Sequence, residues 1–187
     1  MNQSLFLVGE IGGNDYNVPL LAGVPLDDVI PFAPVVIAKI SSTITVSTSF
    51  TCCARRFRWH LYTDCYPNAC ALLSFQELIG LGAKTLVVPG NLPIGCIPNY
   101  LFVFRSDNKE EYEAETGCIG WLNEFARYHN KLLIRELERL RQLHPGVTII
   151  YADYYGAAME VFISPQRYGE FVYICGLLIF ATTFGRN

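Results

Sequence analysis

Residues 84–90 read KTLVVPG, a short apolar run that ends in turn-forming residues. Two further runs have the same character, LFLVGEI at 5–11 and VTIIYA at 147–152. Runs of this length that are rich in Val, Ile and Leu are typical of strands buried on both faces of a parallel sheet. Turn residues and then a helical pattern follow the first and last runs, which is the rhythm of an α/β fold.

The clearest helix is predicted from about Cys118 to Leu143, where apolar residues recur at spacings of three and four. His144, Pro145 and Gly146 end it, because proline cannot continue a helix. Asp153 is predicted to cap a shorter helix that runs to about Phe162. Residues 26–44 form a third helical stretch, which proline interrupts.

Four segments, taken in order, resemble one known family. They are FLVGEIGGNDYN (6–17), ELIGLGAKTLVVPGNLPIGCIP (77–98), GCIGWLNEFARYHNKLL (117–133) and IIYADYYGAAMEVFISPQRYG (149–169). Together they resemble the plant-type GDSL esterase/lipases. The resemblance implies a three-layer α/β/α sandwich with a parallel sheet in flavodoxin-like order, incomplete at its N-terminal strands. Residues 1–187 would then be a single partial domain, and the strand at 5–11 would have lost one neighbour, leaving an open edge.

The resemblance also assigns a role to the Gly-Gly-Asn segment that follows the first strand. Ligands gather at the carboxyl ends of parallel strands, and Asn14 falls just beyond such an end. The family pattern makes Asn14 the side chain that donates a hydrogen bond to the oxyanion. Gly12 and Gly13 would let the backbone approach the substrate closely. Without the resemblance, the same residues are more typical of a simple turn that ends a strand.

The family hydrolyses carboxylic esters through an acyl-serine intermediate and uses neither a metal nor an organic cofactor. Its nucleophile stands in a Gly-Asp-Ser motif and its general base in an Asp-x-x-His motif, and neither motif occurs in these 187 residues. His60, His129 and His144 are interpreted as surface or capping residues, and Asp153 as structural. The chain is therefore predicted to be inactive. The alternative is a non-catalytic fragment or a pseudoenzyme that binds an acyl group or a protein partner.

Two segments do not fit the family pattern. Residues 46–76 are interpreted as a foreign insertion into one helix, because they show neither strand nor helix periodicity. A zinc site on the cysteines and His60 of this segment is the weaker alternative, since their spacing is not that of a zinc finger. Residues 170–187 form an atypical apolar tail, whose fourteen-residue core is short of the roughly twenty residues needed to span a bilayer.

Composition limits the partners and the location. A net charge of −3 gives no reason to expect a nucleic-acid partner, and the expected partner is a small-molecule or lipid ester. No signal peptide is recognised at the start of the sequence, so the location is left open between the cytoplasm and the secreted location that is usual for the family. Cys96 and Cys118 match cysteines that would suit a disulfide in a secreted relative, but here they are expected to be reduced. Nothing in the sequence indicates an oligomeric state.

Overall fold

The structure is a computed structural model that describes residues 5–45 and 78–168. Within these ranges three strands form one sheet, β1 (Leu5–Leu7), β2 (Thr85–Pro89) and β3 (Thr148–Ala152). The sheet order is β1-β2-β3, and both neighbouring pairs are parallel. Three consecutive parallel strands in sequence order are the part of a flavodoxin-like sheet that lies on one side of its switch point. The predicted α/β class with a parallel sheet is confirmed.

The strand β1 is shorter and more exposed than its sequence predicts. It ends at Leu7, because Gly9 adopts a φ of 87° that no strand continues through. Leu5 and Leu7 are 62% and 58% exposed. The prediction that this run is buried on both faces is therefore wrong, although Leu86 in β2 is fully buried. Among the described residues β1 pairs only with β2.

Six α-helices and three 3₁₀ turns surround the sheet in the part of the chain that the structure describes. The helices are α1 (Gly13–Leu21), α2 (Leu26–Val29), α3 (Phe32–Ile44), α4 (Pro98–Val103), α5 (Gly120–Leu143) and α6 (Tyr154–Ile163). The 3₁₀ turns are Ile94–Cys96, Lys109–Glu111 and Pro165–Tyr168. The predicted proline interruption is confirmed, since Pro31 separates α2 from α3. The helix α1 was not predicted, because its glycines and Pro19 are typical of a turn.

The helix α5 organises the core. Its apolar face buries Leu122, Phe125, Leu133, Leu137 and Leu140, each with 3% exposure or less, against α3 and β3. Each such side chain contributes roughly 1.5–3 kcal/mol relative to an exposed position. The prediction of a long amphipathic helix is confirmed.

Both predicted helix boundaries near the third strand are also confirmed. His144 stands at the C-terminal end of α5, and its N–H donates to the Leu140 carbonyl at 2.9 Å. Asp153 stands before α6, and its Oδ1 accepts from the Gly156 amide at 2.9 Å. These contacts end one helix and begin the next on either side of β3.

The two segments that do not fit the family pattern, 46–76 and 170–187, lie outside the described residues except for their flanks. One flank is informative. The amide of Leu78 donates to the carbonyl of Thr43 at 3.4 Å, and the amide of Ile79 donates to the carbonyl of Ile44 at 3.3 Å. The chain therefore returns to the C-terminal end of α3 at residue 78.

No helix within the two described ranges is both long enough and apolar enough to cross a bilayer. The apolar tail at 170–187 is outside those ranges.

Candidate functional site

The three residues singled out in the sequence lie together in the turn that leads into α1. Gly12 is the N-cap of α1, with a φ of 108°, and Gly13 and Asn14 begin its first turn. Gly12 is buried, whereas Asn14 is exposed. Within the described residues the side-chain amide of Asn14 makes no hydrogen bond.

Packing alone requires glycine at position 12. A Cβ atom there would lie 2.7 Å from Val36 Cγ1 and 3.3 Å from His129 Cε1. A non-glycine residue would also be strained at this positive φ. Gly12 thus lets α1 approach α3 and α5 closely, which is a different use from the close approach of substrate that the sequence suggests.

Glu10 already uses the first free amide of α1. Its carboxylate accepts a hydrogen bond from the Gly13 N–H, and a Cβ atom on Gly13 would lie 3.0 Å from each carboxylate oxygen. Partial burial raises the pKa of Glu10, the Gly13 hydrogen bond opposes this, and the nearby Asp15 charge raises the pKa further. The Gly13 amide is therefore already paired within the protein, unlike the exposed side chain of Asn14.

A buried polar pair lies directly beneath the turn. The hydroxyl of Tyr16 and Nδ1 of His129 are 2.7 Å apart, and the two residues are 0% and 1% exposed. Burial lowers the pKa of His129 to about 4, so the ring is neutral near pH 7. The prediction that His129 is a surface or capping residue is wrong. It follows Phe125 by four residues and precedes Leu133 by four, which places it on the apolar face of α5.

The loop after β2 is held by a residue that the sequence did not reveal. The side chain of Asn130 accepts from the backbone N–H of Asn91 at 2.6 Å and donates to the Asn91 carbonyl at 3.0 Å. The side chain of Asn91 is itself 2% exposed, and its Nδ2 has no hydrogen-bond partner within the described residues. A Cβ atom on Gly90 would lie 2.8 Å from Asn130 Oδ1, so the loop accepts only glycine there.

The same loop is fixed at its far end by a disulfide bond. Cys96 and Cys118 are bonded, so the expectation that they are reduced is wrong. Asn123 Oδ1 accepts from the Gly95 amide at 2.9 Å, and the Ile119 amide donates to the Gly95 carbonyl at 3.0 Å. Because these groups converge on one short segment, both ends of the loop after β2 are attached to α5 or to the residues just before it.

A signal for these residues does exist in the sequence. Asn123, Asn130 and Leu137 are seven apart, and so lie on one stripe of the helix. Polar residues on an apolar stripe need buried hydrogen-bond partners. The spacing shows that Asn123 and Asn130 face inward, but not which loop they bind.

Two of the surface grooves formed by the described residues are notable, and Gly12, Gly13 and Asn14 line neither of them. One, of about 480 Å³, lies between α5 and the end of β3 and includes Lys131, Tyr151 and Asp153. The other, of about 560 Å³, lies between α3 and α5 and includes the Ser41–Glu136–Arg139 cluster. Neither groove is therefore an acyl pocket next to the Asn14 amide.

The described residues contain no paired nucleophile and base. Of the two histidines within them, His129 is bonded to a tyrosine and His144 ends α5. The hydroxyl of Ser41 contacts Glu136 and Arg139 rather than a histidine. No group of three or more potential metal ligands occurs among these residues either, and the weaker zinc hypothesis concerns residues outside them. The geometry thus provides a candidate oxyanion donor without a nucleophile beside it.

Similarity to known proteins was found among plant hydrolases. GDSL esterase/lipase At1g28600 of Arabidopsis thaliana is 41% identical over 181 residues, which cover 95% of this chain and 38% of that protein. GDSL esterase/lipases At1g28590 and At1g31550 of the same plant are each 41% identical over 169 residues, or 90% of this chain. This chain covers 34% and 35% of those two proteins. No family model matches. The chain thus spans little more than a third of the length of these relatives.

Proposed function

We propose that this chain, which belongs to the plant GDSL esterase/lipase family, carries the oxyanion-donor part of a carboxylic ester hydrolase. The observation that supports the proposal is that Asn14 is exposed in the first turn of α1, which follows the parallel strand β1. In a hydrolase of this class a serine oxygen attacks the ester carbonyl, and the carbonyl oxygen becomes an anion. The Asn14 amide would donate a hydrogen bond to that anion.

We also propose that these 187 residues do not hydrolyse esters by themselves. The sequence contains neither Gly-Asp-Ser nor Asp-x-x-His. A single oxyanion donor contributes roughly 3–4 kcal/mol, whereas enzymes lower barriers by roughly 8–23 kcal/mol in total. Asn14 therefore cannot replace a nucleophile and a base, and acyl-serine chemistry belongs to the longer proteins of the family.

The disulfide bond favours the secreted location that is usual for the family over the cytoplasmic one. Disulfides persist in oxidising compartments and are rare in the plant or bacterial cytosol, where thiols are kept reduced. The bond between Cys96 and Cys118 is buried, with 4% and 3% exposure, and it holds the far end of the loop after β2.

The first test measures hydrolysis of p-nitrophenyl acetate and butyrate by the purified chain. The expected rate equals that of the same mass of serum albumin, and Asn14→Ala leaves it unchanged. Turnover of roughly 1 s⁻¹, the lower range for enzymes, that a serine-directed phosphonate abolishes would contradict the inactive assignment. Tight binding of a fluorescent acyl chain without turnover would favour the pseudoenzyme alternative.

The second test concerns the role of Asn14 and uses the relative At1g28600. Replacing its residue aligned with Asn14 by alanine should lower kcat about 10²- to 10³-fold, the usual loss for one oxyanion donor, with little change in KM. The matched control replaces the residue aligned with the exposed Asn108, in a distant loop. Equal kcat values for the two variants would contradict the role proposed for Asn14.

A further inference from the structure

A second residue touches the Asn14 turn at both of its ends. His129, on α5, bonds to Tyr16 through Nδ1 at 2.7 Å, and its Cε1 lies 3.3 Å from the position of a Cβ on Gly12. Gly12 and Tyr16 are themselves linked, since the Tyr16 amide donates to the Gly12 carbonyl at 3.3 Å. Asn14 lies midway between them in sequence, so one imidazole ring contacts the residues at both ends of the turn that carries Asn14.

Aromatic packing keeps this ring in one orientation. Tyr16 makes edge-to-face contacts with Phe125 at 4.8 Å and with His129 at 5.5 Å, measured between ring centroids. Both partners lie on α5, a 24-residue helix whose inner face is buried. The turn is therefore held against a rigid element rather than against another loop.

The tautomer of the imidazole decides which group donates, the Tyr16 hydroxyl or Nδ1–H. A neutral imidazole carries one proton, and when the Tyr16 hydroxyl donates to Nδ1 that proton lies on Nε2. Nε2 is buried and has no partner within the described residues. An aliphatic side chain of similar size would avoid this unpaired group, because a buried donor without a partner is destabilising. The stability of the fold alone thus does not account for histidine at this position.

We propose that His129 is a positioning residue for Asn14. Through Tyr16 and Gly12 it holds the first turn of α1 in the orientation that presents the Asn14 amide, and it does not itself touch the substrate. This inference rests on the proposed function for its catalytic meaning, but the positioning can be measured without catalysis.

The first experiment follows the turn by NMR in the isotope-labelled chain. His129→Leu and Tyr16→Phe both remove the hydrogen bond, whereas His129→Asn keeps an acceptor close to the position of Nδ1. We expect the first two variants to shift the Asn14 side-chain and Gly13 backbone resonances. They should also speed exchange of the two hydrogen-bonded amides of this turn, those of Gly13 and Tyr16, about tenfold, which corresponds to about 1.4 kcal/mol. His129→Asn should largely restore both values.

Tyr128→Phe is the matched control, because Tyr128 lies next to His129 in sequence and is 39% exposed. It should change neither the resonances nor the exchange. A uniform rise in exchange over β2 and α5, with unchanged Asn14 resonances, would mean that His129 only stabilises the fold, and would overturn the proposal. Tyr16→Phe retains the ring and its packing, so it keeps the test valid if His129→Leu does not fold.

The second experiment uses At1g28600 and separates this proposal from the proposed function. Leucine at the position aligned with His129 should lower kcat about tenfold with KM unchanged, and asparagine there should recover most of it. If the alanine variant at the position aligned with Asn14 loses kcat but the leucine variant at the position aligned with His129 does not, the positioning role is overturned. Full activity at the position aligned with Asn14, together with the local NMR changes, would instead count against the proposed function alone.

Discussion

Deleting residues 46–76 should join α3 to the segment that follows them in one continuous helix. The amides of Leu78 and Ile79 donate to the carbonyls of Thr43 and Ile44. In an α-helix the amide of residue i bonds to the carbonyl of residue i−4. After removal of those 31 residues, Leu78 and Ile79 take positions 47 and 48, which are four beyond Thr43 and Ile44. The observed hydrogen bonds are therefore those of an uninterrupted helix.

The size of the effect follows from loop closure. Holding together the ends of a 31-residue segment costs about (3/2)RT ln 31, or about 3 kcal/mol, and the deletion removes this cost. For a chain of this length 1 kcal/mol corresponds to about 2–4 °C, so the melting temperature should rise by about 6–12 °C. Urea denaturation and thermal melts monitored by circular dichroism measure both quantities.

A deletion that is one residue shorter provides the control. Removing 46–75 leaves one extra residue, which rotates the following segment by about 100° on a helix of 3.6 residues per turn. This variant should gain much less stability. Equal melting temperatures for the two deletions, or a loss of stability in both, would refute the interpretation of 46–76 as an insertion. A fold that collapses when a chelator is added would favour the zinc alternative.

Three further predictions concern the elements around the candidate site. Reducing the Cys96–Cys118 bond, or replacing both residues by alanine, should lower the unfolding free energy by about 3.4 kcal/mol, the value for a separation of 22 residues. A urea denaturation curve that dithiothreitol leaves unchanged would contradict the presence of this bond. Asn130→Ala should cost about 2–4 kcal/mol, because it leaves two backbone groups unpaired, whereas the adjacent, exposed Lys131→Ala should cost less than about 0.5 kcal/mol. Burial lowers the pKa of His129 in the folded state to about 4, from 6.5. Above pH 6.5 the ring is neutral in both the folded and the unfolded state. As the pH falls from 6.5 to 4 the unfolded state binds a proton that the folded state does not, so the free energy of unfolding decreases. The wild-type protein should therefore lose about 3 kcal/mol more than His129→Leu between pH 7 and pH 4 in urea titrations.

The sheet and the long helix could be predicted because local patterns determine them. An apolar run with turn residues after it places β2 and β3 within one residue of their observed boundaries. The apolar period of α5 likewise gives its end at Leu143. The sequence predicts a strand at 5–11 that is longer than the observed β1. Gly9 and Gly12 both have a positive φ, and an apolar run contains no information about backbone dihedrals.

Long-range contacts could not be predicted in the same way. The burial of His129 depends on Tyr16, which is 113 residues away in sequence. The attachment of the loop after β2 depends on Asn130, which is 39 residues from its partner Asn91. Periodicity identifies which face of a helix is inward, but the partner on that face depends on how the chain folds back. The role proposed for Asn14 comes from the family resemblance. The residues that contact its turn, Tyr16 and His129, could be identified only from the structure.

The helix α5 contacts two loops that follow different strands, so its position affects both of them. Its inner face bears on the turn after β1 through His129 and on the loop after β2 through Asn130. His129 and Asn130 are adjacent in the sequence of α5. A tilt or a shift of the helix would therefore move both loops in nearly the same direction and by nearly the same distance. Displacements of the two loops should therefore be correlated, and their separation should vary less than the position of either loop relative to the rest of the sheet. A substitution nearer the C-terminal end of the same helix, such as Arg139→Ala, which removes its hydrogen bond to Ser41 on α3, would then displace the two loops together without altering the distance between them.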